Sequence, residues 1–155
     1  MMVPVFERAQ NVDDEITDMN LIEAAGIEPA STRLLAVEND TPFWVARGTN
    51  GDVCVLYAMQ GSAFTGFSCG SPSTLEAYGL AVATVANTTD LFTEAYLVPA
   101  DVSDAVAEAV VGLNNPAHGL FTRYAPNENP AVVGIEIPRG EGSKAAFIFS
   151  ELHTT

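Results

Sequence analysis

The sequence predicts an α+β fold: a largely antiparallel, twisted sheet of about eight or nine strands, with one main helix and one short helix. Strand-like segments follow one another across short turns, and strands joined in this way pair antiparallel. The chain shows neither a regular alternation of strands and helices nor a repeat of fixed period. Only one long segment, at about residues 101–113, carries an apolar stripe at helical spacing.

Four strands are predicted in the first half of the chain, separated by residues that favour turns. They are Arg33–Glu38, Phe43–Arg47, Val53–Met59 and Ala63–Cys69. Asn39–Pro42, Asn50-Gly51 and Gly61-Ser62 provide the turns, and Asn-Gly is the strongest short hairpin signal. The third strand is apolar at every position, which is typical of a central strand covered on both faces.

Five more strands and the two helices are predicted in the second half. The strands are Leu80–Ala86, Leu91–Val98, Leu120–Ala125, Ala131–Ile137 and Ala145–Leu152. Ser73 and Glu76 have the spacing of a capping box at the start of a short helix over about 73–78. Asp101 can cap the main helix, whose apolar residues recur at helical spacing until Gly112 ends it.

Residues 1–30 differ from the remainder and predict an acidic tether that is only partly ordered. Seven of these residues are acidic, and β-branched residues are few. Ile16, Met19, Leu21 and Ile22 favour at most one short helix, or a segment that docks on the body. Residues 31–153 are predicted to form a single globular domain, since a chain of 155 residues suffices for one hydrophobic core.

The two cysteines, Cys54 and Cys69, are predicted to form a disulfide across one hairpin. Counting outward from a turn at Gly61-Ser62 places them opposite each other, within the Cα separation that a disulfide needs. The same register places Tyr57 opposite Gly66, and it makes the cysteines a wider, hydrogen-bonded pair unless a bulge at Gly66 shifts it. A disulfide indicates an oxidising compartment; two reduced, buried thiols in a cytosolic core are the alternative.

The strong acidic charge limits the partners that the surface can bind. Six basic residues face twenty acidic ones, a formal net charge of -14 at pH 7. Such a surface repels nucleic-acid phosphates and anionic lipid headgroups, so nucleic-acid binding is not expected, whereas basic partners would be attracted. The sequence has no run of 18 apolar residues and no signal peptide. Because the cysteines suggest export, we expect an export or membrane-anchoring segment upstream.

Short patches spread over most of the chain resemble a group of uncharacterised actinobacterial proteins. The patches are Val5–Gln10, Asp13–Asp14, Ile27–Leu35, Cys54–Val55 and Ser68–Gly70. In that group a single N-terminal membrane helix is followed by an acidic linker and a compact extracytoplasmic domain with two cysteines. The resemblance implies an extracytoplasmic domain that is anchored to the cell membrane in the parent protein. It implies no enzymatic activity, because that group carries none that could be transferred.

Candidate catalytic and metal-binding residues are few. Gly66–Gly70 spells G-x-S-x-G, the nucleophile motif of serine hydrolases, with Ser68 as nucleophile and His118 or His153 as base. That motif needs a sharp turn between a strand and a helix, whereas Ser68 lies in a predicted antiparallel strand. We predict no metal site and no cofactor: the histidines are too far apart for zinc, Asp13–Glu15 lacks a calcium-loop pattern, and no glycine-rich phosphate loop occurs.

The predicted function is non-enzymatic: an extracytoplasmic domain of a cell-envelope protein that binds a partner protein or an envelope component. Phe43 and Trp44 are candidate partner-binding residues, since aromatic anchors dominate binding hot spots, although two aromatic residues in a strand also suit a core. Two alternatives stay open. One is a small secreted serine hydrolase that uses Ser68; the other is a small-ligand-binding domain with a concave apolar pocket between sheet and helix.

Overall fold

The computed structural model describes residues 2–58, 65–86, 91–124, 132–139 and 145–152 of the chain. The α-helices of these residues are α1 (Met19–Ala25), α2 (Pro72–Tyr78) and α3 (Ser103–Ala109). Their strands are β1 (Arg33–Glu38), β2 (Thr41–Arg47), β3 (Val53–Ala58), β4 (Thr65–Gly70), β5 (Leu80–Ala86), β6 (Leu91–Leu97), β7 (Asn114–Ala117), β8 (Leu120–Arg123), β9 (Ile135–Ile137) and β10 (Phe147–Phe149). Short 3₁₀ turns lie at Pro4–Glu7, Val12–Asp14, Pro29–Ser31 and Ala100–Val102.

The strands form three antiparallel sheets within the described ranges. The first sheet has the order β1-β2-β3-β4, the second β5-β6-β8-β7, and the third pairs β9 with β10. The α+β class and the antiparallel pairing are confirmed, but the prediction of one sheet of eight or nine strands is wrong. The break comes between β4 and β5, where Pro72, which has no backbone N–H, opens α2 and directs the chain from the first sheet to the second.

The main hydrophobic core lies between the two four-stranded sheets. The first sheet contributes Phe43, Val45, Val53, Val55 and Tyr57. The second sheet contributes Leu80, Ala95, Leu97 and Leu120. The rings of Phe43 and Tyr57 meet edge to face at a centroid distance of 5.6 Å. Packing of two sheets face to face in this way buries one apolar face of each.

Strand β3 is covered on both faces, as its continuous apolar sequence predicts. Every residue from Val53 to Tyr57 is buried. One face lies in the core between the sheets. The other face, with Cys54 and Leu56, packs against Ile16, Leu21, Ile22 and Ile27 of the N-terminal segment. We refer to residues 2–31 as the N-terminal layer, because they cover the outer face of the first sheet.

Asp14 is the centre of the hydrogen bonds that attach the N-terminal layer to the first sheet. The Arg8 guanidinium donates to both carboxylate oxygens of Asp14, at 2.7 Å for Nη2 to Oδ1. The backbone N–H of Leu34 in β1 donates to Oδ1 at 2.8 Å, and the Thr32 hydroxyl donates to the Asp14 carbonyl at 2.8 Å. The hydrogen bond from Arg8 holds the pKa of Asp14 well below its usual range, so this buried carboxylate stays charged.

The outer face of the second sheet is covered by α3 and by the third sheet. Val102, Val106 and Val110 pack there together with the β9 and β10 residues Ile137 and Phe147. The predicted main helix over 101–113 is too long: α3 ends at Ala109, and its predicted start forms a 3₁₀ turn. The chain has to leave the helix early because Asn114–Ala117 forms β7, an edge strand that pairs with β8.

Two further local predictions differ from the structure. The short helix starts at Pro72, and its cap is Ser71, whose hydroxyl accepts the N–H of Thr74 at 3.2 Å; the predicted capping box at Ser73 is therefore wrong. Proline is well suited to the first helical position, which explains the shift. Strand β7 is absent from the predicted strands, because its sequence Asn-Asn-Pro is typical of turns, but an edge strand tolerates proline.

The turns of the first sheet agree with the sequence pattern. Asn39 and Asp40 have positive φ values of 50° and 58°, as a two-residue hairpin turn requires of both central residues. The turn at Asn50-Gly51 joins β2 to β3, with Gly51 at φ 91° and the Gly48 N–H bonded to the Asp52 carbonyl. Strands β1 and β5 have their predicted limits.

Candidate functional site

Cys54 and Cys69 form the predicted disulfide across β3 and β4. The register is the predicted one, with Cys54 opposite Cys69 and Tyr57 opposite Gly66, and it continues past Gly66 without a shift. The two Cα atoms are 4.1 Å apart, which is the spacing of a narrow pair rather than the wider, hydrogen-bonded pair expected from a two-residue turn. The turn at Gly61-Ser62 lies outside the described residues.

The disulfide lies beneath the N-terminal layer. Cys54 is fully buried and Cys69 is half-buried, with its sulfur 3.8 Å from the carbonyl oxygen of Ala25 at the end of α1. A hollow of about 160 Å³ beside the sulfurs is bordered by Gly26 and by the β2–β3 turn. The bond therefore joins the central strand to β4 at the point where α1 packs on the sheet. It fits an oxidising, extracellular location.

Ser68 of the G-x-S-x-G motif lies within β4, opposite Val55. It is part of a regular antiparallel ladder, so no turn between strand and helix presents its hydroxyl. His118 lies between β7 and β8, where its Nε2 is 3.0 Å from the carbonyl oxygen of Ala100. No hydrogen bond joins Ser68 to an imidazole in the part of the chain that the structure describes, and His153 lies outside that part.

The two candidate partner-binding aromatic residues are buried. Phe43 lies in the core between the two sheets and is fully inaccessible. Trp44 lies on the opposite face of β2, under the N-terminal layer, and is 8% exposed. Both aromatic residues therefore lie in the core, which was the alternative to a role in partner binding. A partner that binds the folded surface would have to contact other residues.

An apolar cavity of about 240 Å³ lies at one end of the sheet pair. Its walls are Met2–Val5, Leu35 of β1, Leu97 and Val98 at the end of β6, and Ala117 with His118 after β7. The imidazole of His118 is the only ionisable side chain among these lining residues. The cavity therefore lies between the first 3₁₀ turn and the sheets, whereas the sequence predicted a pocket between sheet and main helix.

A buried cluster of charged side chains joins the second sheet to the C-terminal segment. Arg123 of β8 donates a hydrogen bond to Glu151, and its Nη1 lies 3.5 Å from the Glu94 carboxylate of β6. Glu94 accepts a hydrogen bond from the Tyr96 hydroxyl, which itself accepts the N–H of Leu152 at 2.7 Å. These five residues fasten the end of the described chain to the outer face of the sheet.

Burial governs the electrostatics of this cluster. Desolvation raises the pKa of Glu94, against the opposing effects of the Tyr96 hydrogen bond and the Arg123 charge. Desolvation and the bond to Glu94 also raise the pKa of Tyr96. Among the described residues, Arg123 is the cation that contacts both Glu94 and Glu151. The buried cluster joins β6 and β8 to the C-terminal segment.

Sequence reasoning did not identify this cluster, although one signal for it exists. Glu94 is the one charged residue of β6, and it shares a strand face with Tyr96. A strand face that carries a charged residue is normally interpreted as the face exposed to solvent. Only the coverage of that face by the third sheet makes Glu94 a buried carboxylate.

The described residues contain no candidate metal site. No group of three or more His, Cys, Asp or Glu side chains there is arranged to hold a metal ion. The acidic run Asp13–Glu15 does not converge: Asp14 is buried against Arg8, whereas its two neighbours are exposed. In the same residues, no helix is both long and apolar enough to cross a bilayer.

Comparisons of the chain with protein-family models, with curated proteins and with solved structures yield no match. None of the three comparisons supplies a function for this chain.

Replacing both cysteines by alanine is expected to lower the free energy of unfolding by about 3 kcal/mol, because the bond closes a loop of 15 residues in the unfolded chain. Chemical denaturation measures the difference, with Ser68→Ala in the same strand as the control. In denaturant, the unreduced protein should take up no alkylating reagent, and each chain should gain two adducts after reduction. Alkylation of both cysteines before reduction would contradict the disulfide.

Glu94→Gln is expected to remove part of the pH dependence of stability. Because burial raises the pKa of Glu94 above its unfolded value, the stabilisation by its neutral form is complete below the unfolded pKa and is lost as pH rises through the folded pKa. The free energy of unfolding of the wild type should therefore fall as the pH rises above the unfolded pKa of a glutamate, and that of the variant should fall less. Glu108→Gln, an exposed change on α3, should behave as wild type. Equal slopes for all three proteins would refute this role for Glu94.

Proposed function

We propose that this chain is the extracytoplasmic domain of a cell-envelope protein, anchored to the membrane by an upstream helix as in the actinobacterial proteins that it resembles. Its role is to bind a partner protein or an envelope component without catalysing a reaction. The observation that supports this best is the Cys54–Cys69 disulfide, which joins the internal strand β3 to the edge strand β4 of the first sheet. A bond in that position stabilises the domain only where thiols are oxidised.

The absence of a catalytic arrangement in the described residues is consistent with a binding role. Ser68 lacks the strained turn that makes a serine nucleophile accessible, and His118 bonds to a backbone carbonyl in another part of the fold. The buried carboxylates Glu94 and Glu151 are paired with Arg123 under the third sheet, where no substrate can reach them. Each of these four side chains therefore has a structural role or a setting that does not suit acid–base or nucleophilic chemistry.

A serine-reactive fluorophosphonate probe separates this proposal from the hydrolase alternative. The folded wild-type protein is expected to remain unlabelled, like heat-denatured protein, because no base activates the Ser68 hydroxyl. Intact mass after incubation measures the labelling, and an active serine hydrolase serves as the positive control. Labelling of the wild type that Ser68→Ala abolishes would overturn the non-enzymatic function.

Binding of a small apolar molecule is a second candidate function, favoured by the cavity at the end of the sheet pair. Its volume of about 240 Å³ exceeds the roughly 150 Å³ of a cavity that can hold benzene, and its walls are almost wholly apolar. It is smaller than the roughly 300–1,000 Å³ of sites for drug-sized ligands. A single ring or a short aliphatic chain is therefore the class of ligand that fits.

Benzene titration tests this second candidate. It is expected to shift the backbone amide resonances of Leu97 and Val98, which line the cavity, and to leave those of α1 unchanged. Leu35→Phe should abolish the shifts, because the added ring atoms occupy the cavity. Shifts of the same size in the wild type and in Leu35→Phe would show that benzene binds elsewhere and would rule out this site.

A further inference from the structure

A second hollow, also about 240 Å³, lies on the N-terminal layer and has an apolar floor with an acidic rim. Its lining includes Ile16, Met19 and Ile22, together with Pro29 and Ala30 of the third 3₁₀ turn. Ile16 and Ile22 anchor the layer to the sheet, whereas Met19 is 59% exposed at the start of α1. Ile16 and Ile22 are thus held in place by the core, whereas Met19, Pro29 and Ala30 are exposed. Gln10, Glu15 and Thr17 add polar groups to the lining. We call this feature the acidic hollow.

The chain around the acidic hollow is rich in carboxylates. Glu15 lines it directly, and Asp18, Glu23 and Glu28 each follow or precede a lining residue in the chain. All four are exposed. Residues 7–33 contain seven acidic and two basic residues, a formal charge of -5. The hollow therefore lies in a region of strongly negative potential.

The basic residues near the acidic hollow are already engaged within the chain. Arg8 is hydrogen-bonded to Asp14. The Arg33 guanidinium donates to three backbone carbonyls, those of Arg8, Ala30 and Thr32, at distances of 2.9–3.1 Å. Neither side chain can turn toward the rim carboxylates without giving up these bonds. The exposed rim carboxylates Glu15 and Glu23 also take part in no hydrogen bond or ion pair within the described residues.

The charge and the shape of the acidic hollow together determine which ligand can bind there. The cavity at the end of the sheet pair has no carboxylate in its lining, so the acidic hollow differs from it in charge although the volumes are equal. A negative rim repels phosphates, fatty-acid anions and anionic lipids, and it attracts lysine and arginine. An apolar floor favours one apolar side chain that leaves water on binding. A basic segment with a single apolar anchor satisfies both requirements.

We propose that the acidic hollow is the docking site for a basic segment of a partner protein, with one apolar side chain in the hollow and lysine or arginine residues against its rim. This rests on the proposed function as a binding domain and adds the place and the chemistry of the partner. Phe43 and Trp44, which are buried, are not needed for such contact. The N-terminal layer then both closes the core and presents the binding surface.

Calorimetric titration with three synthetic peptides tests the proposal. The first has a single phenylalanine flanked by lysines, the second has serine in place of the phenylalanine, and the third has glutamates in place of the lysines. The first peptide is expected to bind about fivefold or more tightly than the second, and the third should not bind. Added salt should weaken the binding of the first peptide, because the rim charges are exposed and are screened by salt. Equal binding of the first two peptides, or no binding of the first, would overturn the proposal.

Matched charge variants locate the site. Glu15→Gln/Glu23→Gln removes two rim charges and is expected to weaken the first peptide about fivefold. Glu108→Gln/Glu136→Gln removes two exposed charges from α3 and β9, on the opposite side of the fold, and should leave the affinity unchanged. Met19→Ser should weaken the binding of the first peptide, which carries the phenylalanine, and leave the binding of the second unchanged. Equal losses in both charge variants would mean non-specific attraction and would refute the site.

The outcome separates this inference from the proposed function. Failure of the peptide to bind, while the protein stays unlabelled by the fluorophosphonate probe, removes the docking site and leaves the binding role intact. Labelling at Ser68 would contradict the non-enzymatic function, regardless of whether the peptide binds. The unfolding midpoint of each variant, measured alongside, confirms that a loss of binding does not come from a loss of fold.

Discussion

The burial of β3 on both faces is the constraint on which the rest of this structure depends. A strand that is apolar at consecutive positions cannot face water on either side, so the first sheet needs two covers. The second sheet supplies one of them, and the N-terminal layer supplies the other. The acidic residues of the layer, apart from the buried Asp14, face outward. One packing requirement thus accounts for the layered architecture on both faces of the first sheet.

Local and short-range features follow from the sequence. The continuous apolar run at Val53–Tyr57 predicted a doubly covered strand, and the period of two in paired strands predicted that Cys54 faces Cys69. Turns at Asn39-Asp40 and Asn50-Gly51 have the backbone geometry that these residue types favour. Each of these features depends on neighbours within one hairpin. Their physical cause is therefore contained in a few consecutive residues.

Long-range features did not follow, for reasons that particular residues show. The division into separate sheets depends on where α2 sends the chain after Gly70, and no local pattern encodes that direction. Glu94 looks like a solvent-facing strand residue until β9 and β10 cover it. The acidic hollow arises because Met19 and Pro29, ten positions apart in the sequence, border the same depression. Such features appear only when separate segments pack together.

The position of Trp44 has a practical consequence. It is the only tryptophan of the chain, and its indole lies beneath the N-terminal layer with an Nε1–H that has no hydrogen-bond partner among the described residues. Intrinsic fluorescence therefore reports on one place: a red-shifted emission maximum means that water has reached the ring and that the layer has lifted from β2. The chain therefore carries a built-in optical sensor for water access to the face of β2 that the N-terminal layer covers.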